Sequence, residues 1–167
     1  MLERLPYAKR LELERRSPDD CSASLAALQL LERGLALLEG QGEAPWSRIE
    51  FPFERKPVLA GGPSFSLSHS AGRVACAIAS SGEVGVDVEE PREGRTVAAL
   101  RDWTAREATL KASGVGLRGW RDVVLEQDGA RFDGRRYWLR ALELGGDSIA
   151  YLAWTRPIEE VQSFFIT

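Results

Sequence analysis

Three short segments carry side chains whose type and spacing could do chemistry. The first is Val84-Gly85-Val86-Asp87-Val88-Glu89. Read as a strand, it sends the three valines to one face and Gly85, Asp87 and Glu89 to the other. Two carboxylates two residues apart then lie roughly 7 Å from one another. Like charges held that close suit a hard cation such as Mg²⁺ or Mn²⁺ with oxygen ligands. An ordinary half-exposed strand with its polar residues in water has the same pattern, so both readings stand. Gly85 leans toward the first, because a strand glycine leaves room for a close approach.

The second segment is Trp103-Thr-Ala-Arg106-Glu107-Ala-Thr-Leu-Lys111. Trp103, Glu107 and Lys111 recur every four residues and share one helix face. A Glu–Lys pair at that spacing is common on helix surfaces and stabilises by only about 0.2–0.5 kcal/mol. Composition tempers that reading: of 22 basic residues only three are lysine, at positions 9, 56 and 111. A surface pair tolerates arginine, whereas a compact ammonium facing a phosphate oxygen is a more specific demand. The third segment, Phe65-Ser-Leu-Ser68-His69-Ser70, holds the chain's one histidine. It reads as a satisfied turn histidine or as part of a polar site.

Other chemistries lack their motifs. No serine sits in GxSxG, and neither a Walker A loop nor GxGxxG occurs. Cys21 and Cys76 stand far apart without a CxxC, and Cys76, flanked by Ala75 and Ala77, reads as a buried structural thiol. A net charge of −3 argues against a protein that coats nucleic acid. The start, Met-Leu-Glu-Arg-Leu-Pro, lacks a signal peptide's apolar stretch, and the longest uninterrupted apolar run, Val74 to Ala79, is far shorter than a membrane span. These features predict a soluble, cytoplasmic protein of 167 residues with no membrane partner.

The elements that must position these residues are partly legible. Ser17-Pro-Asp-Asp is a helix entry, and Leu25, Leu28, Leu31, Leu35 and Leu38 form an apolar helical stripe. Gly40, Gly42 and Pro45 end it. Residues 73–79 and 84–89 read as strands joined in a hairpin through Ser80-Ser-Gly-Glu83. A second helix spans about 97–113, stopped by Gly114 and Gly116, and strands follow at 122–126, 136–142 and 148–154. A helix and then a small antiparallel sheet, twice over, predicts an α+β fold of two similar halves, about 1–86 and 87–167, within a single domain.

Taken in order, Arg55-Lys56-Pro57, Phe65-x-x-Ser68-His69-Ser70, Val84-Gly-Val-Asp87-Val-Glu89 and Trp103-Thr-x-x-Glu107-Ala-x-x-Lys111 resemble the 4′-phosphopantetheinyl transferases. The resemblance runs from residue 5 to about residue 155. It implies a pseudo-dimer of two α+β halves with coenzyme A and Mg²⁺ in the cleft between them. The implied activity moves the phosphopantetheine arm to a serine of an apo acyl, peptidyl or polyketide carrier protein, releasing adenosine 3′,5′-bisphosphate. Asp87, Glu89 and Glu107 would hold the Mg²⁺ (or Mn²⁺), and Glu107 would act as or position the base. Lys111 would face the pyrophosphate, and Lys56, Pro57, Ser68 and His69 would line the nucleotide and its 3′-phosphate. Arg106 stands where relatives carry lysine, and Lys9 and Arg10 are further candidates for a 3′-phosphate contact.

Departures from the family pattern are Ser66 in place of asparagine, Ala23 in place of an arginine, and a start later than the relatives' opening strand. A non-catalytic relative that binds carrier protein or coenzyme A is the alternative, and a two-metal phosphate hydrolase is disfavoured by the lone histidine and single acidic cluster. An acidic carrier would favour a basic docking face, with Arg101, Arg106, Arg118 and Arg121 as candidates. The protein would act as a monomer or dimer, and Phe164, Phe165 and Ile166 are apolar candidates for a contact.

Overall fold

The computed structural model describes residues 1–40, 45–52 and 55–163. Gly42 and the apolar residues Phe164, Phe165 and Ile166 lie outside them. The fold is α+β. Its longer helices are α1 (Tyr7–Glu14), α2 (Pro18–Glu39) and α3 (Val97–Ser113). Short strands β1 (Ile49–Glu50) and β2 (Val58–Leu59) pair with each other. Strands β3 (Ser64–Ser70) and β4 (Arg73–Ala79) form a hairpin. Strand β5 (Val84–Glu89) joins β6 (Val124–Glu126), β7 (Gly129–Phe132), β8 (Arg135–Leu142) and β9 (Ile149–Trp154) in an antiparallel sheet of order β5-β9-β8-β7-β6.

Both predicted helices form, and their ends have visible causes. The Ser17 hydroxyl caps α2 by accepting the Asp20 N–H at 3.2 Å, with Pro18 in the first turn. Thr96 caps α3 through the Ala99 N–H at 3.2 Å, and Gly114 ends it in the left-handed conformation at φ +79°. By length and composition α2 could cross a membrane, with a mean hydropathy of 1.3 over its best window. No uninterrupted apolar run signals this, because the window average absorbs its polar residues. In this structure Ala27, Leu28, Leu31 and Leu35 are in the core with Phe65 and Trp46.

One pairing expectation is wrong. Residues 73–79 and 84–89 are both strands, yet they are not partners: β4 folds back onto β3, matching Ser70 with Arg73 and Ser64 with Ala79. Ala71 and Gly72, both at positive φ, make that turn. Strand β5 pairs instead with β9, placing Val86 opposite Leu152 and Asp87 opposite Tyr151. The sequence reading also lacks α1, β1, β2, β3 and β7, and the segment expected as a strand at 122–126 begins in a 3₁₀ turn over Leu117–Asp122.

Alternation sorts the faces. Phe65 and Leu67 on β3, with Cys76 and Ile78 on β4, pack into the α2 core. Val84, Val86 and Val88 pack with Ala75, Ala79, Ala150 and Leu152. The opposite face of β5 meets α3, and Gly85 is the residue that lets it. A Cβ there would lie 2.0 Å from the Ala108 carbonyl oxygen and 2.4 Å from the Ala112 nitrogen. The close approach that the glycine serves is therefore the backbone of α3.

Candidate functional site

Close contact at Gly85 sets the distance between β5 and α3, and the residues beyond it on the two elements converge. One ligand atom from each of Asp87, Glu89 and Glu107 lies within 4.8 Å of the others. All six residues of β5 are buried, with Asp87 only 2% exposed, which rules out the half-exposed strand reading. A strand pair and a helix acid thus meet where the sheet ends against α3.

Lysine 111 crosses to the strand. Its Nζ donates to Asp87 Oδ1 at 2.6 Å and to Ser68 Oγ at 2.9 Å, while the Ser68 hydroxyl donates to the same Oδ1 at 2.8 Å. The surface-pair reading of Glu107 and Lys111 gives way to a bond between elements. On the other strand acid, Glu89 Oε2 accepts from the Ser70 hydroxyl at 3.0 Å and from the Arg92 guanidinium. Asp87 Oδ2 is buried and has no partner among the described residues.

Glu107 is held at a pKa of about 7. Burial is the main cause, followed by the Asp87 charge; the Glu89 charge adds to it, and Lys111 opposes it. A set of oxygen donors, one of them an orphaned buried oxygen, in a place where burial and neighbouring acids raise a carboxyl to about 7, fits a hard divalent cation.

Other predicted site residues fall elsewhere. His69 sits on β3 opposite Val74, in a strand rather than a turn. Burial lowers its pKa, as do the nearby Arg16 and Lys111 charges, against an opposing pull from Asp20, so it is neutral at pH 7. Arg16, which also donates to Ser24 Oγ at 2.9 Å, is a basic group near this histidine that sequence reasoning missed. Its only sequence signal was its place just before the helix entry.

Lys56 is not at the acidic cluster. It donates to Ser64 Oγ at 2.7 Å, Glu83 Oε2 at 2.9 Å and the Val84 carbonyl at 2.8 Å, which uses all three ammonium donors. Ser64 is four residues from Ser68, so this lies roughly 13 Å along the strand. Pro57 and Lys56 line a cleft of about 210 Å³ with Gly82 and Glu83. Lys9 pairs with Glu12 and lies over the Phe51 ring, and Arg10 lies over Tyr7.

Arg106 turns away from the cluster, despite its place beside Glu107. It binds Asp102 at 2.7 Å, the Trp120 carbonyl at 3.2 Å and the Val123 carbonyl, with its guanidinium over Trp120. Trp120 in turn packs against Trp103, with ring centroids 5.8 Å apart, while Arg95 lies over the Trp103 ring and Arg121 over the Trp120 ring. The Cys76 thiol is pushed up to about 12 by burial, as a structural thiol would be.

Comparison of the chain with family models and with curated proteins returns no match.

Proposed function

We propose that the protein is a Mg²⁺-dependent 4′-phosphopantetheinyl transferase that moves the phosphopantetheine arm of coenzyme A to a serine of an apo carrier protein. The observation that carries this reading is the convergence of Asp87, Glu89 and Glu107 within 4.8 Å, beside Lys111, where α3 meets the edge of the sheet. In this reading the boundary expected near 86/87 moves to before β5, because β5 pairs with β9 along its length; α2 with the β3–β4 hairpin and α3 with the β5–β9 sheet would then be the two halves of a pseudo-dimer, with the site along their seam.

Phosphoryl transfer asks little covalent chemistry of a protein and much positioning and charge. Asp87, Glu89 and Glu107 would hold the divalent cation, which supplies Lewis-acid stabilisation of charge on the pyrophosphate oxygens. Lys111 would neutralise charge as the bond from phosphorus to the bridging oxygen breaks. The carrier serine oxygen forms the new bond to that phosphorus, and its proton passes to Glu107 directly or through one water. Adenosine 3′,5′-bisphosphate leaves with the bridging oxygen. Arg16 and Lys111, with the neutral His69 near both, would give a basic approach suited to phosphate groups.

The test is direct. The protein is incubated with coenzyme A, Mg²⁺ and a panel of apo carrier proteins, and each carrier is weighed by mass spectrometry. A mass gain of one phosphopantetheine, lost in Glu107→Ala, supports the reading. Unmodified carriers throughout, with coenzyme A still bound by calorimetry, would favour the non-catalytic alternative.

A further inference from the structure

Strand β3 reads Ser64-Phe-Ser66-Leu-Ser68-His-Ser70, a serine at every second position. All four hydroxyl oxygens accept backbone N–H groups of β5 and the residue after it: Ser64 from Val84 at 3.2 Å, Ser66 from Val86 at 3.0 Å, Ser68 from Val88 at 3.3 Å and Ser70 from Glu90 at 3.4 Å. The offset is twenty residues at every rung. These bonds satisfy the edge of β5 that no backbone strand pairs, so the hairpin is joined to the sheet by side chains.

A hydroxyl that accepts still has a proton to give. Three of the four give it to a carboxylate nineteen residues on: Ser64 to Glu83 at 2.9 Å, Ser68 to Asp87 at 2.8 Å and Ser70 to Glu89 at 3.0 Å. At the remaining rung, Ser66, the residue nineteen positions on is Gly85, which has no side chain. One rung therefore holds backbone alone, and two hold both backbone and a carboxylate of the cluster.

We propose that Ser68 and Ser70 are positioning residues for divalent-cation binding, each fixing one strand carboxylate toward Glu107, whereas Ser66 fixes only the backbone. This rests on the cation reading of the acidic cluster given above. Asp87 illustrates the geometry: Ser68 and Lys111 both occupy Oδ1, which leaves Oδ2 as the oxygen without a partner. Outer-shell hydrogen bonds of this kind commonly change metal affinity by about 10–100-fold when removed.

The experiment measures Mn²⁺ affinity of the full chain by the electron paramagnetic resonance signal of the free ion, for wild type, Ser66→Ala, Ser68→Ala and Ser70→Ala, with urea denaturation of each in parallel. Every variant loses one rung, so all three are expected to lose stability. Mn²⁺ affinity should fall about tenfold or more in Ser68→Ala and Ser70→Ala, and stay within about twofold of wild type in Ser66→Ala. Equal weakening in Ser66→Ala would overturn the proposal, since the ladder would then act only as scaffold. Unchanged affinity in the other two would overturn it as well. Should Ser68→Ala fail to fold, the half-buried Ser70 decides the matter. Absence of Mn²⁺ binding in wild type would instead remove the cation reading itself, and the proposal with it.

Discussion

Replacing Glu107 with glutamine tests the electrostatics of the site without any substrate. The carboxyl is raised from an ordinary 4.5 to about 7, chiefly by burial and by the Asp87 charge. A raised carboxyl pKa means the folded state holds this proton more tightly than the unfolded chain does. Stability then falls as the pH climbs from about 4.5 to 7, and the penalty is complete above that window. At about 1.36 kcal/mol per pH unit the ceiling is roughly 3.4 kcal/mol. Glu107 is only partly buried, so solvent screening brings the expected effect down to about 1–2 kcal/mol. Glutamine keeps the shape and fixes the neutral form. Glu107→Gln should therefore be about 1–2 kcal/mol more stable than wild type at pH 8 and nearly equal to it at pH 5. Urea denaturation in EDTA, followed by tryptophan fluorescence, reads both. Adding Mg²⁺ at pH 8 should close the gap by stabilising wild type more than the variant. A variant less stable than wild type at pH 8, or a difference independent of pH, would refute the account of a carboxyl raised by burial and by its acidic neighbours.

Gly85→Ala should destabilise by more than about 3 kcal/mol, because the new Cβ would meet α3 backbone at 2.0 Å and 2.4 Å; a wild-type thermal melt would contradict the close packing described. Lys56→Met should cost about 1–3 kcal/mol at pH 7 by removing the ammonium that bonds Ser64, Glu83 and the Val84 carbonyl. An unchanged urea midpoint would place that lysine's role in ligand binding rather than in the fold. Thr96→Ala should cost about 1 kcal/mol through loss of the α3 cap, measured by the same denaturation, and no loss would mean that the Ala99 N–H finds water instead.

Helix boundaries were legible because their caps are local. Ser17-Pro18 announces one start, and Gly40 and Gly114 announce ends, whatever the rest of the chain does. Asp87, Glu89, Glu107 and Lys111 were legible as candidates because each lies on a regular element whose period fixes its face. Strand partnership was not legible. β4 and β5 are adjacent in sequence and both apolar, and nothing local forbids the hairpin; β5 goes to β9, more than fifty residues away, because the β5 edge toward β3 is already satisfied by serine hydroxyls. β3 itself was hidden by composition, since Ser-x-Ser-x-Ser-x-Ser is poor in the branched and aromatic residues that mark strands. Its signal was of another kind. The spacing of Ser64, Ser68 and Ser70 repeats in Glu83, Asp87 and Glu89, with Ser66 matched to Gly85.

The scarcity of lysine also acquires a physical cause in the fold. Lys56 and Lys111 make the same construction at two rungs of the ladder: an ammonium bonded at once to a serine oxygen and to the carboxylate that the serine holds, Ser64 with Glu83 and Ser68 with Asp87. An ammonium has three donors set tetrahedrally around one small centre, so it can meet acceptors that converge from different strands. A guanidinium spreads its donors in a plane and suits acceptors that lie side by side, as Arg106 does along Asp102 and the loop carbonyls. The two lysines differ in what surrounds them. Lys56 spends its third donor on the Val84 carbonyl, and its carboxylate stands away from the acidic cluster. Lys111 holds an acid that has two more carboxylates within 4.8 Å, and the Arg92 guanidinium takes Glu89, so two cations face three acids. The same device thus closes a structural joint at one end of β3 and leaves excess negative charge at the other, and that excess is what a divalent cation would neutralise.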